Sequence, residues 1–192
     1  LKQRLWHRSV RPREQCARAR LIITPSAHTR DDLTDTYSIA PEKVVVLSPG
    51  VHTRFPTNED RERARRRYAL PEKYILFLGT IEPRKNVSSI LEAYRHLPER
   101  VRAEYALVIA GPQGWKEGEL EKVMRRESWV HLVGYVDATD KPAICAGASL
   151  FVYPSFYEGF GFPVLEAMAL GVPTVTSNRS SLPEVTNGGA YL

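Results

Sequence analysis

Glu158 and Glu166 stand eight positions apart in the segment EGFGFPVLEAMALG, residues 158–171, with Gly159, Gly161 and Pro163 between them. Proline is tolerated at the first position of a helix because the N–H it lacks has no partner there. Glycine just past the last apolar residue, as at Gly171, is the usual left-handed stop. The segment therefore predicts a short helix entered through a glycine bend. Gly159 and Gly161 let the backbone approach a ligand closely. The exposed N–H groups and positive end of the helix suit a diphosphate. Glu166 falls one turn into this helix, and its neighbours three and four positions away are Phe162, Pro163, Ala169 and Leu170, all apolar. A carboxylate so placed needs donors, and a ribose diol offers two hydroxyls. Glu158 falls at the end of the strand-like run SLFVYPS, where it could accept from sugar hydroxyls. The plainer alternative is that Glu158 caps its loop and Glu166 pairs with a core arginine.

A second group lies in GTIEPRKN, residues 79–86. Arg84 and Lys85 offer two cations to a departing diphosphate, or form a solvated pair ahead of a helix.

The elements that must position these groups follow from the apolar pattern. Five near-continuous runs begin at residues 74, 105, 129, 149 and 172 (YILFLG, YALVIAG, WVHLVG, SLFVYPS, VPTVTS). Such runs predict strands covered on both faces. Between them lie helical patterns: residues 87–97 with Ile90, Leu91, Tyr94 and Leu97 on one face, 119–126 with Leu120, Val123 and Met124, then 140–148 and 163–170. Alternating strand and helix predicts an α/β fold, a doubly wound, Rossmann-like parallel sheet. Right-handed crossovers put the loops that follow the strands on one edge, where such folds bind ligands. AGPQGW (110–115) and GYVDATD (134–140) join the site loops on that edge. Earlier in the chain, 21–24 and 44–50 predict strands, and Ser26 predicts a helix cap. The domain reading is 1–56 as the end of a preceding α/β domain, 57–71 as a connection and 72–192 as the ligand-binding domain. Leu1 at the start and a closing stretch that reads as a turn entering a strand lead to the expectation of a fragment.

Composition narrows the partners. The chain has 192 residues, 43% hydrophobic and 26% charged, with net charge +5. That is an ordinary globular balance. The basic excess lies in residues 2–20 and in RERARRR, 61–67. Trp6 and Tyr68 are the aromatics beside these runs, too few for the stacking that single-stranded nucleic acid requires, so no nucleic acid is expected. A solvated helix face is the plain reading of the runs, and anionic lipid headgroups remain open as a peripheral partner. Cys16 and Cys145 lie outside metal-ligand or disulfide-framework spacing, so a reducing cytoplasm is the expected compartment. No apolar run reaches the roughly 18–20 residues of a membrane span. His28, His52 and His131 have no metal-ligand spacing, and no metal is expected. A dinucleotide-binding Rossmann domain is disfavoured because no GxGxxG follows the first strand of the domain.

The Glu-x7-Glu spacing, followed by VPTVTS and SLPEV and preceded by GTIEPRKN, resembles the retaining family 4 (group 1) glycosyltransferases of the GT-B fold. The form of the GTIEPRKN loop is similar to that of mannosyltransferase-like members. The resemblance covers nearly the whole chain: IITPSAHTRDDL (22–33) looks like the last part of the acceptor domain, and VVVLSPGVH (44–52) like the strand and turn before the domain crossover. It implies the carboxy-terminal domain of a GT-B fold plus the tail of the amino-terminal domain. It further implies Glu158, Lys85 and Arg84 as catalytic groups, and donor binding by Gly79, Tyr135, Val136, Phe160, Gly161, Phe162, Leu165 and Glu166, with base contact around Tyr135 and Val136. The implied chemistry is metal-independent transfer of a hexose from a nucleoside diphosphate sugar, GDP-mannose first and a UDP-sugar second. The acceptor would be a hydroxyl of a glycan or lipid-linked glycan. Pro49 and His52 depart from the Asn and Asp that relatives carry, and a second basic residue near Gly79 is missing. The chain by itself is expected to bind donor weakly and turn over little. Alternatives are a non-catalytic partner that keeps the fold, or another GT-B nucleotide-sugar enzyme such as an epimerase.

Overall fold

A computed structural model describes residues 10–114 and 118–192. Most of the basic stretch expected at 2–20, with Trp6, and the Trp115 end of AGPQGW lie outside the described residues. The chain divides into two compact units, the first ending at Gly50 and the second spanning Val51–Leu192.

The first unit carries α1 (Pro12–Arg18), β1 (Ile22–Thr24), α2 (Ala27–Tyr37) and β2 (Val44–Val46). β1 and β2 pair in parallel, with Ile22 opposite Val44. Ser26 caps α2 as its sequence predicts, its hydroxyl accepting from the Thr29 N–H at 3.1 Å.

The second unit opens with α3 (Asn58–Arg67), started by a capping box in which Thr57 and Asp60 each satisfy the other's backbone N–H. The stretch 57–71, read above as a connection, thus carries a helix within this unit, and α3 packs on α7 (Lys141–Ala146). Ala64 supplies the buried contact face of a helix that is otherwise charged.

Then come β3 (Tyr74–Leu78), α4 (Val87–Arg95), α5 (Glu99–Glu104), β4 (Ala106–Ala110), α6 (Gly118–Arg126), β5 (Val130–Gly134), α7, β6 (Leu150–Tyr153), α8 (Phe162–Ala169), β7 (Thr174–Thr176) and α9 (Leu182–Thr186). The five strands form one parallel sheet in the order β5-β4-β3-β6-β7. Every residue of β3 is buried, which accounts for its unbroken apolar sequence. The chain winds outward from β3 through β4 to β5, then returns to the other side of β3 for β6. The order of winding reverses between β3 and β6, and a crevice opens there beyond the strands' carboxyl ends.

Two details differ from the pattern reading. Val123, expected on the core face of α6, is exposed, while Met124 is fully buried and Leu120 packs against the core. Leu120 and Met124 are four apart and define the buried stripe, so Val123 falls on its flank. α8 begins at Phe162, with Gly161 as its left-handed cap, so Pro163 is the second helical residue rather than the first.

Candidate active site

The loops that leave β3 and β6 meet at the reversal point. After β3, Pro83–Lys85 form a single 3₁₀ turn closed by Asn86 in the left-handed conformation. Two bonds tie the loops together. The Phe156 N–H donates to the Arg84 carbonyl at 2.8 Å, and the Asn86 side-chain amide donates to the Pro154 carbonyl at 3.3 Å. This fixes the side chains of Arg84 and Lys85 against Glu158. Lys85 Nζ lies 2.5 Å from Glu158 Oε1, and Arg84 Nη1 lies 2.8 Å from Glu158 Oε2. Arg84 Nε lies 2.6 Å from Glu82 Oε1, and Lys85 also donates to the Tyr153 hydroxyl. Lys85 and Glu158 are buried, at 6% and 7% exposure, while Arg84 stays exposed.

Burial pushes the Glu158 carboxyl up, but the Lys85 ammonium and the Arg84 guanidinium outweigh it and hold it below the usual carboxylate value. For Lys85, burial is the largest influence and Arg84 adds to it. Together they overcome the pull of Glu158 and lower the ammonium's pKa. The asymmetry is physical: Glu158 is shared between two cations, so its ionised form is doubly supported, whereas Lys85 has only a share of that carboxylate and Arg84 has Glu82 as well.

Glu158 is held by its backbone as well. Its N–H donates to the Ser180 hydroxyl at 2.9 Å. The buried Ser181 hydroxyl donates to the carbonyls of Glu158 and Phe160, each at 2.9 Å. Ser180 and Ser181 thus secure the glycine bend that leads into α8. Gly161 has φ +108°, and a Cβ there would lie 2.8 Å from Leu182 Cδ2. At the start of α8 Pro163 has no N–H, and the Val164 and Leu165 N–H groups donate to the Gly161 carbonyl at 3.0 and 3.4 Å, so the Phe162 N–H and the positive end of the helix are what this entry offers a ligand.

Beside this cluster is a cleft of about 310 Å³, lined by Leu78, Gly79, Thr80, Gly111, Pro112, Tyr135, Val136, Lys141, Pro163 and Glu166. It continues into a second hollow of about 250 Å³ that shares Leu78, Lys141, Pro163 and Glu166 and reaches His52, Thr53 and Arg54. The floor is backbone. Gly79 N–H donates to Ala110 O at 2.9 Å, and Gly111 passes so near Gly79 that a Cβ would sit 1.9 Å from its carbonyl oxygen. Glu166 is half-buried in the wall. Burial raises its carboxyl pKa, partly offset by Lys141. Among the described residues the cation that acts on it is Lys141 rather than an arginine.

The sequence-derived residues thus fall into two adjoining groups. Arg84, Lys85 and Glu158 form the charged cluster, and Gly79, Tyr135, Val136 and Glu166 line the cleft. Val136 is buried and Tyr135 exposed. Phe160 and Phe162 meet edge-on at 5.1 Å beside Gly161, and Leu165 is half-buried on α8 one position before Glu166. Sequence reasoning missed Glu82, Tyr153, Lys141 and the two serines. Glu82 lay in plain view inside GTIEPRKN, and Ser181 opens the quoted SLPEV. Tyr153 and Lys141 carried no signal of their own. Among the described residues no group of three or more His, Cys, Asp or Glu could hold a metal ion. None of their helices is long and apolar enough to cross a membrane.

Residues 58–190 match the model for glycosyl transferases group 1, and residues 1–55 match that for glycosyltransferase family 4. The chain belongs to the group 1 glycosyltransferases. It is 39% identical over 173 residues to O-antigen chain mannosyltransferase B of Escherichia coli, spanning 87% of this chain and 45% of that protein. It is 32% identical over 185 residues to the MMP alpha-(1->4)-mannosyltransferase of Mycolicibacterium hassiacum, spanning 95% of this chain and 43% of that one. The chain therefore spans less than half the length of these relatives. Among solved structures it resembles WaaG, a glycosyltransferase involved in lipopolysaccharide biosynthesis, with TM-score 0.73, 22% identity and coverage of 88% and 48%. It also resembles Anabaena HepE in complex with UDP-glucose, with TM-score 0.73, 20% identity and coverage of 90% and 49%. At these identities the two structures establish a shared α/β fold, that of GT-B glycosyltransferases.

Proposed function

We propose that this chain is the donor-binding half of a retaining hexosyltransferase that moves mannose from GDP-mannose to a hydroxyl of a glycan or lipid-linked glycan. The observation that carries the reading is the cluster of Arg84, Lys85 and Glu158 at the reversal point of the sheet, beside the amino end of α8. The mannose preference draws support from the two relatives, both mannosyltransferases. A nucleotide-sugar donor draws support from the UDP-glucose bound to HepE.

In this reading the bond between the anomeric carbon and the diphosphate oxygen breaks, and its electron pair leaves on the diphosphate. The acceptor oxygen forms the new bond on the same face, and its proton passes to the released diphosphate or to solvent. The step is limited by charge building on the leaving group. Arg84, Lys85 and the amino end of α8 meet that charge in a site that is already organised. Glu166 accepts from the ribose hydroxyls, the backbone at Tyr135 and Val136 meets the base, and Glu158 accepts from the hexose hydroxyls. No metal takes part.

Calorimetric titration of the whole protein with GDP, UDP and ADP tests this. GDP is expected to bind tightest, and GDP-mannose to be consumed when a glycan acceptor is supplied. Absence of binding by all three nucleotides would overturn the reading.

A further inference from the structure

Asp140 is the most deeply buried carboxylate among the described residues, at 1% exposure. It occupies the cap position of α7 but makes no side-chain cap bond to its own helix. Its oxygens turn instead to α3. Arg67 Nη1 lies 2.9 Å away, Arg63 Nη2 3.3 Å and the Tyr68 hydroxyl 3.1 Å. An aspartate at this position ordinarily satisfies the first N–H groups of its helix. Here that stabilisation is forgone in favour of a cross-element clamp.

The clamp grips both ends of one turn. The Asp137 carbonyl accepts from the N–H groups of Asp140 and Lys141 at 3.0 and 3.2 Å, closing residues 137–140 on themselves. The Tyr68 oxygen accepts from the Asp137 N–H at 3.2 Å while its hydroxyl donates to Asp140, so a single phenol bridges the first and last residues of the turn. Arg67 does the same through charge, pairing with the carboxylates of Asp137 and Asp140. The anchor is itself anchored: His131 Nε2 lies 2.9 Å from the Tyr68 carbonyl, so the imidazole donates to it.

The turn matters because of what flanks it. Tyr135 and Val136 directly precede it and Lys141 directly follows it, and all three line the cleft with Glu166. We propose that Tyr68, assisted by Arg67, is a positioning residue for the donor: without touching the nucleotide, it sets the backbone of Tyr135 and Val136 and the origin of Lys141 against the nucleoside. This rests on the assignment of that cleft to the nucleoside and of the Arg84–Lys85 cluster to the diphosphate. It gives two of the five arginines in RERARRR a role that neither nucleic acid nor lipid would require.

The substitution Tyr68→Phe keeps the ring and removes both bonds of the phenol, while Asp140 keeps its two arginines. In the whole protein, Kd is measured for GDP, for UDP and for inorganic pyrophosphate, alongside thermal stability. A misplaced nucleoside wall weakens both nucleotides about three- to tenfold, the reach of one lost hydrogen bond. Pyrophosphate, which needs only Arg84, Lys85 and the amino end of α8, keeps its affinity. Equal weakening of all three ligands, or no change in any, overturns the positioning role. Failure of the wild-type protein to bind either nucleotide overturns the assignment of the cleft instead, and this role with it. Should Tyr68→Phe not fold, Arg67→Lys preserves the charge, loses the fork that reaches both aspartates and is read by the same three affinities.

Discussion

Lys85 Nζ and Glu158 Oε1 stand 2.5 Å apart with both side chains more than nine-tenths buried, joining residues 73 positions apart across the reversal point of the sheet. With Glu82 and Arg84 they form a cluster of two carboxylates and two cations whose formal charges cancel. In the proposed function a diphosphate must draw those cations away from Glu158. Binding donor and releasing the Glu158 carboxylate toward the sugar then become one event.

Glu158→Gln separates the two roles. The cations lose their competitor, so GDP binds tighter, by about tenfold for roughly 1.4 kcal/mol of charge-assisted bonding transferred to the phosphate. Mannose transfer falls by on the order of a hundredfold, the usual scale for removing one group that serves the transition state. Titration with GDP and an initial-rate assay read the two effects. Weaker GDP binding in the variant would count against the competition between Glu158 and the diphosphate.

How much of this was legible in the sequence depended on the range of the interaction. The β3 and β4 runs gave strands in their true places because burial on both faces leaves an unbroken apolar string. The glycines and Pro163 marked the start of α8 to within one residue because helix ends have local chemistry. Arg84, Lys85 and Glu158 were picked out singly, by their loops, and Glu82 was not. That Lys85 and Glu158 neutralise one another was not legible, since spacing along the chain says nothing about which loops the sheet brings together. The same holds for Asp140, whose arginine partners lie 77 and 73 positions earlier. RERARRR read as a uniformly basic surface, although Arg63 and Arg67 are occupied by Asp60, Asp137 and Asp140.

Gly111→Ala and Gly161→Ala are expected to behave differently, though both glycines have positive φ. At Gly111 the new methyl would lie 1.9 Å from the Gly79 carbonyl oxygen, so β3 and β4 must part. Overpacking of this kind costs about 1–3 kcal/mol or more, and the left-handed backbone adds roughly 1–2 kcal/mol. At Gly161 the obstacle is the tip of the Leu182 side chain, which can rotate away, leaving mainly the backbone strain. Thermal melts should show the larger fall for Gly111→Ala. Gly161→Ala should lose affinity for pyrophosphate as the amino end of α8 and its Phe162 N–H shift. Equal melting temperatures would show that the floor of the cleft tolerates more than its packing implies.

Acid should loosen the second unit through Asp60. The Thr57 N–H, Arg63 and the Thr57 hydroxyl lower its pKa from 3.8 to about 2. A carboxyl whose folded value lies below its unfolded one stabilises the fold above the unfolded value and loses that contribution as pH falls through the folded one. The window is therefore 3.8 down to about 2. Asp60→Asn, which keeps an acceptor for the capping box and loses the charge, should flatten that part of a curve of melting temperature against pH. An unchanged acid limb would place the sensitivity elsewhere.

Glu166 makes the opposite prediction, and for ligand rather than fold. Burial raises its pKa above 4.5 despite Lys141, so the carboxyl takes up a proton earlier on acidification than an exposed glutamate does. In the proposed function the ionised group accepts two ribose hydroxyls. Protonation removes one acceptor and donates a hydrogen where the diol already does. Affinity for GDP is therefore full above the raised value and declines as pH falls through it, within a range where Asp60 is still ionised and the fold intact. Pyrophosphate has no ribose, so its affinity should not follow this ionisation. Glu166→Gln should bind GDP about two- to tenfold more weakly at neutral pH, the span of one charged hydrogen bond made neutral, and should lack the acidic decline. The measurement is Kd against pH for both ligands and both proteins. A decline in GDP affinity that survives in Glu166→Gln would remove the ribose from this carboxylate.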